Sequence, residues 1–179
     1  IFGFIIYNDY NGSSSKTASV NAEKNTVKQT ESEKVTKAET DTKKNSNRTQ
    51  VQGNPTVCID AAHGGSSTGG ASGNYTEKAI TLSVALKVKE YLEESGVNVV
   101  MTRTSDKDVT NEQRVKTCND SKASAMVSIH MNSADKTVTA KGAECWVHTK
   151  KPADSQKLAE DVLKQLKSEA GFNDRGVKY

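Results

Sequence analysis

The chain has 179 residues, 34% of them hydrophobic, with 25 Lys and Arg against 22 Asp and Glu and a net charge of +3. That length admits one domain plus a tail. The small, dispersed charge argues against a nucleic-acid partner, and no run of about 20 apolar residues is available to span a bilayer.

Residues 1–10 open on Ile1-Phe2-Gly3-Phe4-Ile5-Ile6-Tyr7, an apolar, aromatic start without Met. The run is too short to cross a membrane, and it reads as the outer end of a longer signal or anchor segment, with Tyr7 and Tyr10 at the interface. Residues 11–54 follow. Their only larger aliphatic side chains are Val20, Val27, Val35 and Val51, set among Lys, Glu, Thr, Ser and Asn. Such a stretch buries too little apolar surface to offset its ordering entropy, so it is expected to be a disordered, solvated linker.

The folded domain is expected over residues 55–179. Thr56 to Asp60 reads as a buried strand, followed by a glycine-rich loop carrying Gly64, Gly65, Gly69 and Gly70. Ile80, Val84, Val88 and Leu92 recur at helical spacing, so a helix is predicted from about Thr76, its N-cap, to Ser95, with Gly96 as its stop. Val97 to Met101 is the next strand. Thr110-Asn111-Glu112-Gln113 forms a capping box for a helix running to about Ser121. Strands follow over Ala125 to Ile129 and Gly142 to His148. A last helix, Ser155 to Ala170, carries Leu158, Val162, Leu163 and Leu166 on one face and ends at Gly171. This alternation predicts an α/β fold, a mainly parallel or mixed sheet covered by helices. The three cysteines, Cys58, Cys118 and Cys145, include no CxxC pair and read as buried thiols, with a Cys58–Cys145 disulfide left open.

His63 and His130 each fall just past a predicted strand, and Glu77 falls at the start of a helix. In a parallel sheet the carboxyl ends of the strands share one rim, where ligands gather. Two imidazoles and a carboxylate there form the ligand set of a hydrolytic zinc centre with one position left for water. His148 has no neighbours at ligand spacing and reads as an ordinary packed or exposed residue. Arg103 and Asp106 read as a buried pair that fixes a loop. The glycine-rich loop lacks a Gly-Lys-Ser/Thr ending, which excludes a P-loop.

Ile59-Asp60-Ala61-Ala62-His63-Gly64-Gly65 resembles the first histidine motif of zinc-dependent N-acetylmuramoyl-L-alanine amidases. Glu77-Lys78, Thr102-Arg103 with Asp106, Arg114 with Asn119, and Ser128-Ile129-His130-Met131-Asn132 resemble successive blocks of that family. So do Gly142-Ala143-Glu144 and Arg175-Gly176-Val177-Lys178. The resemblance covers residues 56–179. It implies a zinc-exopeptidase-like fold, one zinc held by His63, Glu77 and His130, and hydrolysis of the amide between N-acetylmuramic acid and L-alanine in peptidoglycan. It implies a bacterial, extracellular or surface-tethered monomer, with Asn132 near the substrate and Glu144 in a structural or substrate-facing role. It places the family's general-base glutamate downstream of Tyr179, so the domain is expected to be incomplete at its C-terminus. An inactive zinc-containing, wall-binding or regulatory module is the alternative. A two-metal peptidase lacks its second carboxylate cluster. The chain departs from the family at Ala62, usually Gly, at Ser67 and Ser124, often Asp, and at Asn111, usually apolar.

Overall fold

The computed structural model describes residues 2–8 (backbone only), 53–132 and 141–179. Apart from Gly53 and Asn54, the expected linker lies outside the described residues. The strands are β1 (Phe2–Asn8), β2 (Thr56–Ala61), β3 (Ala71–Ser72), β4 (Tyr75–Thr76), β5 (Asn98–Met101), β6 (Ala125–Met131), β7 (Ala143–Val147) and β8 (Asp174–Lys178). The helices are α1 (Glu77–Glu94), α2 (Asn111–Asp120) and α3 (Ala153–Ala170). The main sheet has the order β5-β2-β6-β1-β7-β8, and β3 and β4 form a small antiparallel pair inside the glycine-rich loop.

β2 runs parallel to both β5 and β6, and β7 runs parallel to β1 and β8. β1 is antiparallel to β6, so the two halves of the sheet run in opposite directions. The sheet is therefore mixed, within the α/β class that the alternation of strands and helices predicts. The first residues, read from the sequence as the end of an anchor segment, contribute β1 to this sheet. Phe2–Asn8 ladders onto β6 on one side and β7 on the other, so its backbone groups are paired from both edges. Its run of Phe and Ile is as suited to a strand as to a membrane interface.

Helix ends follow their side chains. Thr110 accepts from the Gln113 N–H while the Gln113 side chain accepts from the Thr110 N–H, completing the predicted capping box. Gly171 closes α3 at φ 67°, a left-handed conformation that costs glycine little. Thr76 does precede α1, in extended conformation, but its side chain makes no capping bond.

Two apolar clusters hold the sheet to its helices, and both lie on one face. Ile59, Ala61, Ala85 and Ile129 pack with Leu82, Val88 and Leu92 of α1. Ala143, Cys145, Val147, Ala159 and Leu163 pack with Leu158, Val162 and Leu166 of α3. Leu163 is 3% exposed, so its truncation to alanine costs about 2–5 kcal/mol. Val127 touches both clusters, which places Ile59 and Cys145 on the same side.

Cys58, next to Ile59, points to the other face and forms a disulfide with Cys118 of α2, Cα–Cα 5.4 Å. This corrects the reading of three free thiols and the open Cys58–Cys145 pairing. Alternation along the strands puts those two side chains on opposite faces. Cys145 is the remaining buried thiol.

Candidate metal centre

The carboxyl ends of β2 and β6 lie side by side, since Ala61 pairs with Ile129. His63 follows β2 by two residues. His130 is the penultimate residue of β6 rather than the residue beyond it, because the strand extends to Met131. The glycine-rich loop returns to this rim and delivers Glu77 as the first residue of α1, where the helix dipole favours a carboxylate. The loop is closed by Glu77 N–H donating to Gly70 O at 2.7 Å and by Lys78 N–H donating to Thr68 O at 3.1 Å.

These three side chains meet. Nε2 of His63 is 3.3 Å from Oε2 of Glu77, and Nδ1 of His130 is 3.1 Å from Oε1. One potential ligand atom from each of the three lies within 4.8 Å of the others. The imidazoles stand edge to face, ring centroids 5.3 Å apart. Gly69 leaves the space for them, since a Cβ there would come within 2.6 Å of His63 Cδ2 and 2.7 Å of Glu77 Cβ. Its φ of 66° is a second reason for glycine.

Each ligand is oriented by a further partner. Glu77 accepts backbone N–H bonds from Gly70 at 2.9 Å and Met131 at 2.7 Å. The hydroxyl of Ser67 lies 3.0 Å from Nδ1 of His63, which leaves Nε2 toward the carboxylate. Burial alone pushes the Glu77 carboxyl up, but these N–H groups and the two imidazoles outweigh it and hold it below its ordinary value. Burial pushes His130 below the usual imidazole range, against the pull of Glu77. An ionised carboxylate and a neutral imidazole are the protonation states that metal ligands need.

The remaining expected residues arrange themselves around this rim. Lys78 bridges Gly65 O and Asp106 Oδ2 at 2.8 and 2.7 Å. Asp106 also accepts from Gly65 N–H, and Asp108 accepts from Ser66. Arg103 is buried as expected, 1% exposed, but it is not paired with Asp106. It donates to the backbone oxygens of Ala61, Ala62, Lys78 and Ser105. His148 is exposed and accepts from Lys150 N–H, away from the centre.

Asn132 donates to Glu144 Oε1 at 2.6 Å. Glu144 also accepts from Trp146 Nε1 at 3.0 Å and Arg175 Nε at 2.9 Å. Burial raises its carboxyl, and these three donors more than reverse that, leaving it below the usual value. A depressed folded-state value contributes stability above the unfolded value, about 4.3, and the contribution is lost as pH falls through the folded one. Glu144→Gln is therefore expected to melt below wild type at neutral pH, with the gap closing under acid. A constant gap in melting temperature from pH 7 to pH 3 would contradict this.

Sequence reasoning missed Ser67 as the partner of His63, and it missed the backbone N–H groups of Gly70 and Met131. The first was noted as a departure from a motif, without a role. The others carry no side-chain signal at all.

A mixed sheet with His, Glu and His converging at a shared strand rim defines an α/β domain with a candidate metal site. Residues 57–179 match the N-acetylmuramoyl-L-alanine amidase family, and the chain belongs to it. It is 34% identical over 125 residues to a germination-specific N-acetylmuramoyl-L-alanine amidase of Bacillus subtilis, covering 62% of this chain and 52% of that one. It is 32% identical over 124 residues to the B. subtilis N-acetylmuramoyl-L-alanine amidase LytC, covering 69% of this chain and 25% of that one. The fold superposes on the crystal structure of an N-acetylmuramoyl-L-alanine amidase from Clostridium difficile 630 with a TM-score of 0.67. That pair is 34% identical, covering 70% of this chain and 69% of that one. The chain thus spans about half, or less, of the length of these two curated relatives.

Proposed function

We propose that the protein to which this chain belongs is a zinc-dependent hydrolase of the bacterial cell wall. It cleaves the amide joining N-acetylmuramic acid to L-alanine in peptidoglycan. The observation that carries this reading is the convergence of His63, Glu77 and His130 within 4.8 Å in a chain of the amidase family. Two nitrogens and one ionised carboxylate fit a catalytic zinc site, which takes three protein ligands and keeps a fourth position open. When bound, zinc supplies a water acidified to about pKa 7 and a Lewis acid for the carbonyl oxygen.

The chain's own residues hold and orient. Gly70 and Met131 fix the carboxylate of Glu77, and Ser67 fixes the ring of His63. In this proposal Asn132, two residues past His130 and supported by Glu144, meets substrate at the rim. Glu144 supports Asn132 and Arg175 and is not assigned as the general base. Three donors occupy its oxygens and lower its carboxyl below the usual value, which makes it a weaker proton acceptor.

Action outside the cytoplasm agrees with the Cys58–Cys118 disulfide, a bond that persists in oxidising compartments. Among the described residues no helix is long and apolar enough to cross a membrane. Tethering through residues 1–10 belongs to this proposal, and it would require Phe2–Asn8 to leave its place between β6 and β7. The deciding experiment is release of stem peptides from purified sacculi by the full-length protein, with and without a chelator. Release that stops on chelation and returns with zinc is expected. Release indifferent to the chelator overturns the metal mechanism.

A further inference from the structure

His63 has a φ of 61°. A non-glycine residue reaches the left-handed region at a cost and stays there only when its surroundings over-determine it. The backbone of this ligand is therefore held by specific partners.

Three successive carbonyls at the end of β2, those of Ala61, Ala62 and His63, accept from two guanidinium groups. Arg103 donates Nε to Ala61 O at 2.8 Å and Nη2 to Ala62 O at 2.9 Å. Arg114 donates Nη1 to Ala61 O at 2.8 Å and Nη2 to His63 O at 2.7 Å. Among the described residues, Arg114 is the group that holds the peptide oxygen of His63 itself.

Arg114 does not belong to the metal loop. It stands on α2, 7% exposed, and its own position is fixed from two sides. Nη1 pairs with Asp60 Oδ1 at 2.6 Å, and Asp60 in turn accepts from Ser128 Oγ at 2.6 Å. One helical turn further on, Cys118 bonds α2 covalently to Cys58 of β2. A planar fork of donors anchored in this way meets a carboxylate and two carbonyls at once, which a single ammonium cannot reproduce.

From this placement we infer that Arg114 is a positioning residue for the metal. Through the carbonyl of His63 it keeps that imidazole aimed at Glu77 and His130 before any ion arrives. The inference rests on the zinc reading above. Without the Arg114 bond, His63 is free to relax toward ordinary backbone angles. The three donor atoms then spread, and part of the binding energy goes into gathering them again.

The test uses wild type, Arg114→Met, Arg114→Lys and, as a control for lost stability alone, Leu163→Ala in the α3 core. Zinc affinity is measured by chelator competition, the cobalt-substituted absorption spectrum reports ligand geometry, and thermal melts report stability. Arg114→Met is expected to weaken zinc by about 10–100-fold, the range seen for loss of groups that orient ligands, and to change the cobalt spectrum. Arg114→Lys recovers part of both. Leu163→Ala melts lower and binds zinc like wild type. If Arg114→Met does not fold, the lysine variant decides, and wild-type affinity and spectrum in it overturn the inference. The same result in a folded Arg114→Met overturns it, as does a Leu163→Ala variant that loses zinc equally. A wild-type chain that takes up no zinc overturns the metal reading beneath it, and this inference falls with that reading.

Discussion

His63→Ala or His130→Ala is expected to abolish zinc uptake while leaving the fold in place. Each substitution removes one of three protein donors. Loss of a group that merely orients a ligand costs about 10–100-fold in affinity, and loss of the ligand itself exceeds that. The two imidazole side chains are 26% and 32% exposed and lie at the rim, outside both apolar clusters, so the metal-free forms should keep the fold with a modest loss in melting temperature. Glu77→Gln is the sharper variant. It keeps the shape of a side chain that is 6% exposed but removes the charge, and it sets a carboxamide against the N–H groups of Gly70 and Met131. Its NH2 can face only one of two positions now lined by donors. Bound metal measured after dialysis, together with stem-peptide release by the full-length protein, checks all three. Wild-type zinc content in His63→Ala would remove that residue from the ligand set.

Loss of the Cys58–Cys118 bond is expected to be the largest single change in stability. The bond closes a loop across a sequence separation of 60 residues. Loop-closure entropy for that length gives about 4 kcal/mol, or roughly 10–20 °C in melting temperature for a domain of this size. Both sulfurs are packed, Cys58 at 0% and Cys118 at 5% exposure, so Cys58→Ala with Cys118→Ala adds a smaller packing loss. Melts of the wild-type protein with and without reductant, beside the double variant, measure this. An unchanged melting temperature in both comparisons would contradict it. Because α2 also carries Arg114, the double variant is expected to bind zinc more weakly than its stability loss alone implies.

The helices and the central strands were legible because their signals are local. The stripe from Ile80 to Leu92, the capping box at Thr110 and the glycine at 171 each specify an end or a face without help from the rest of the chain. The convergence of His63, Glu77 and His130 was legible for a related reason: parallel strands carry their carboxyl ends to one rim. What escaped is non-local. The direction of β7 is set by which neighbour it pairs with, and Ala143 to Val147 reads the same either way. Asp174 to Lys178 was seen as a motif, not as a strand, because its Gly and charged residues carry no alternation. Phe2–Asn8 was apolar enough for two different fates. The Cys58–Cys118 pairing depended on which face each strand residue takes and on where α2 lies, and odd cysteine arithmetic gives neither. Arg114 was recognised as part of a block, but its hold on His63 O appears only when α2 is laid across the end of β2.

The cysteine left over has a consequence for how the covalent structure is kept. Cys145 is walled in on the α3 side of the sheet, and burial, reinforced by Asp174 and Glu144, pushes its thiol up to about 12. Thiol–disulfide exchange needs a thiolate that can reach sulfur, and here the would-be attacker is protonated and faces away from the bond. Of the pairings that three cysteines allow, the native chain is thus locked into one isomer. Shuffling must wait for the sheet to come apart, so the linkage guards its own correctness for as long as the domain stays folded.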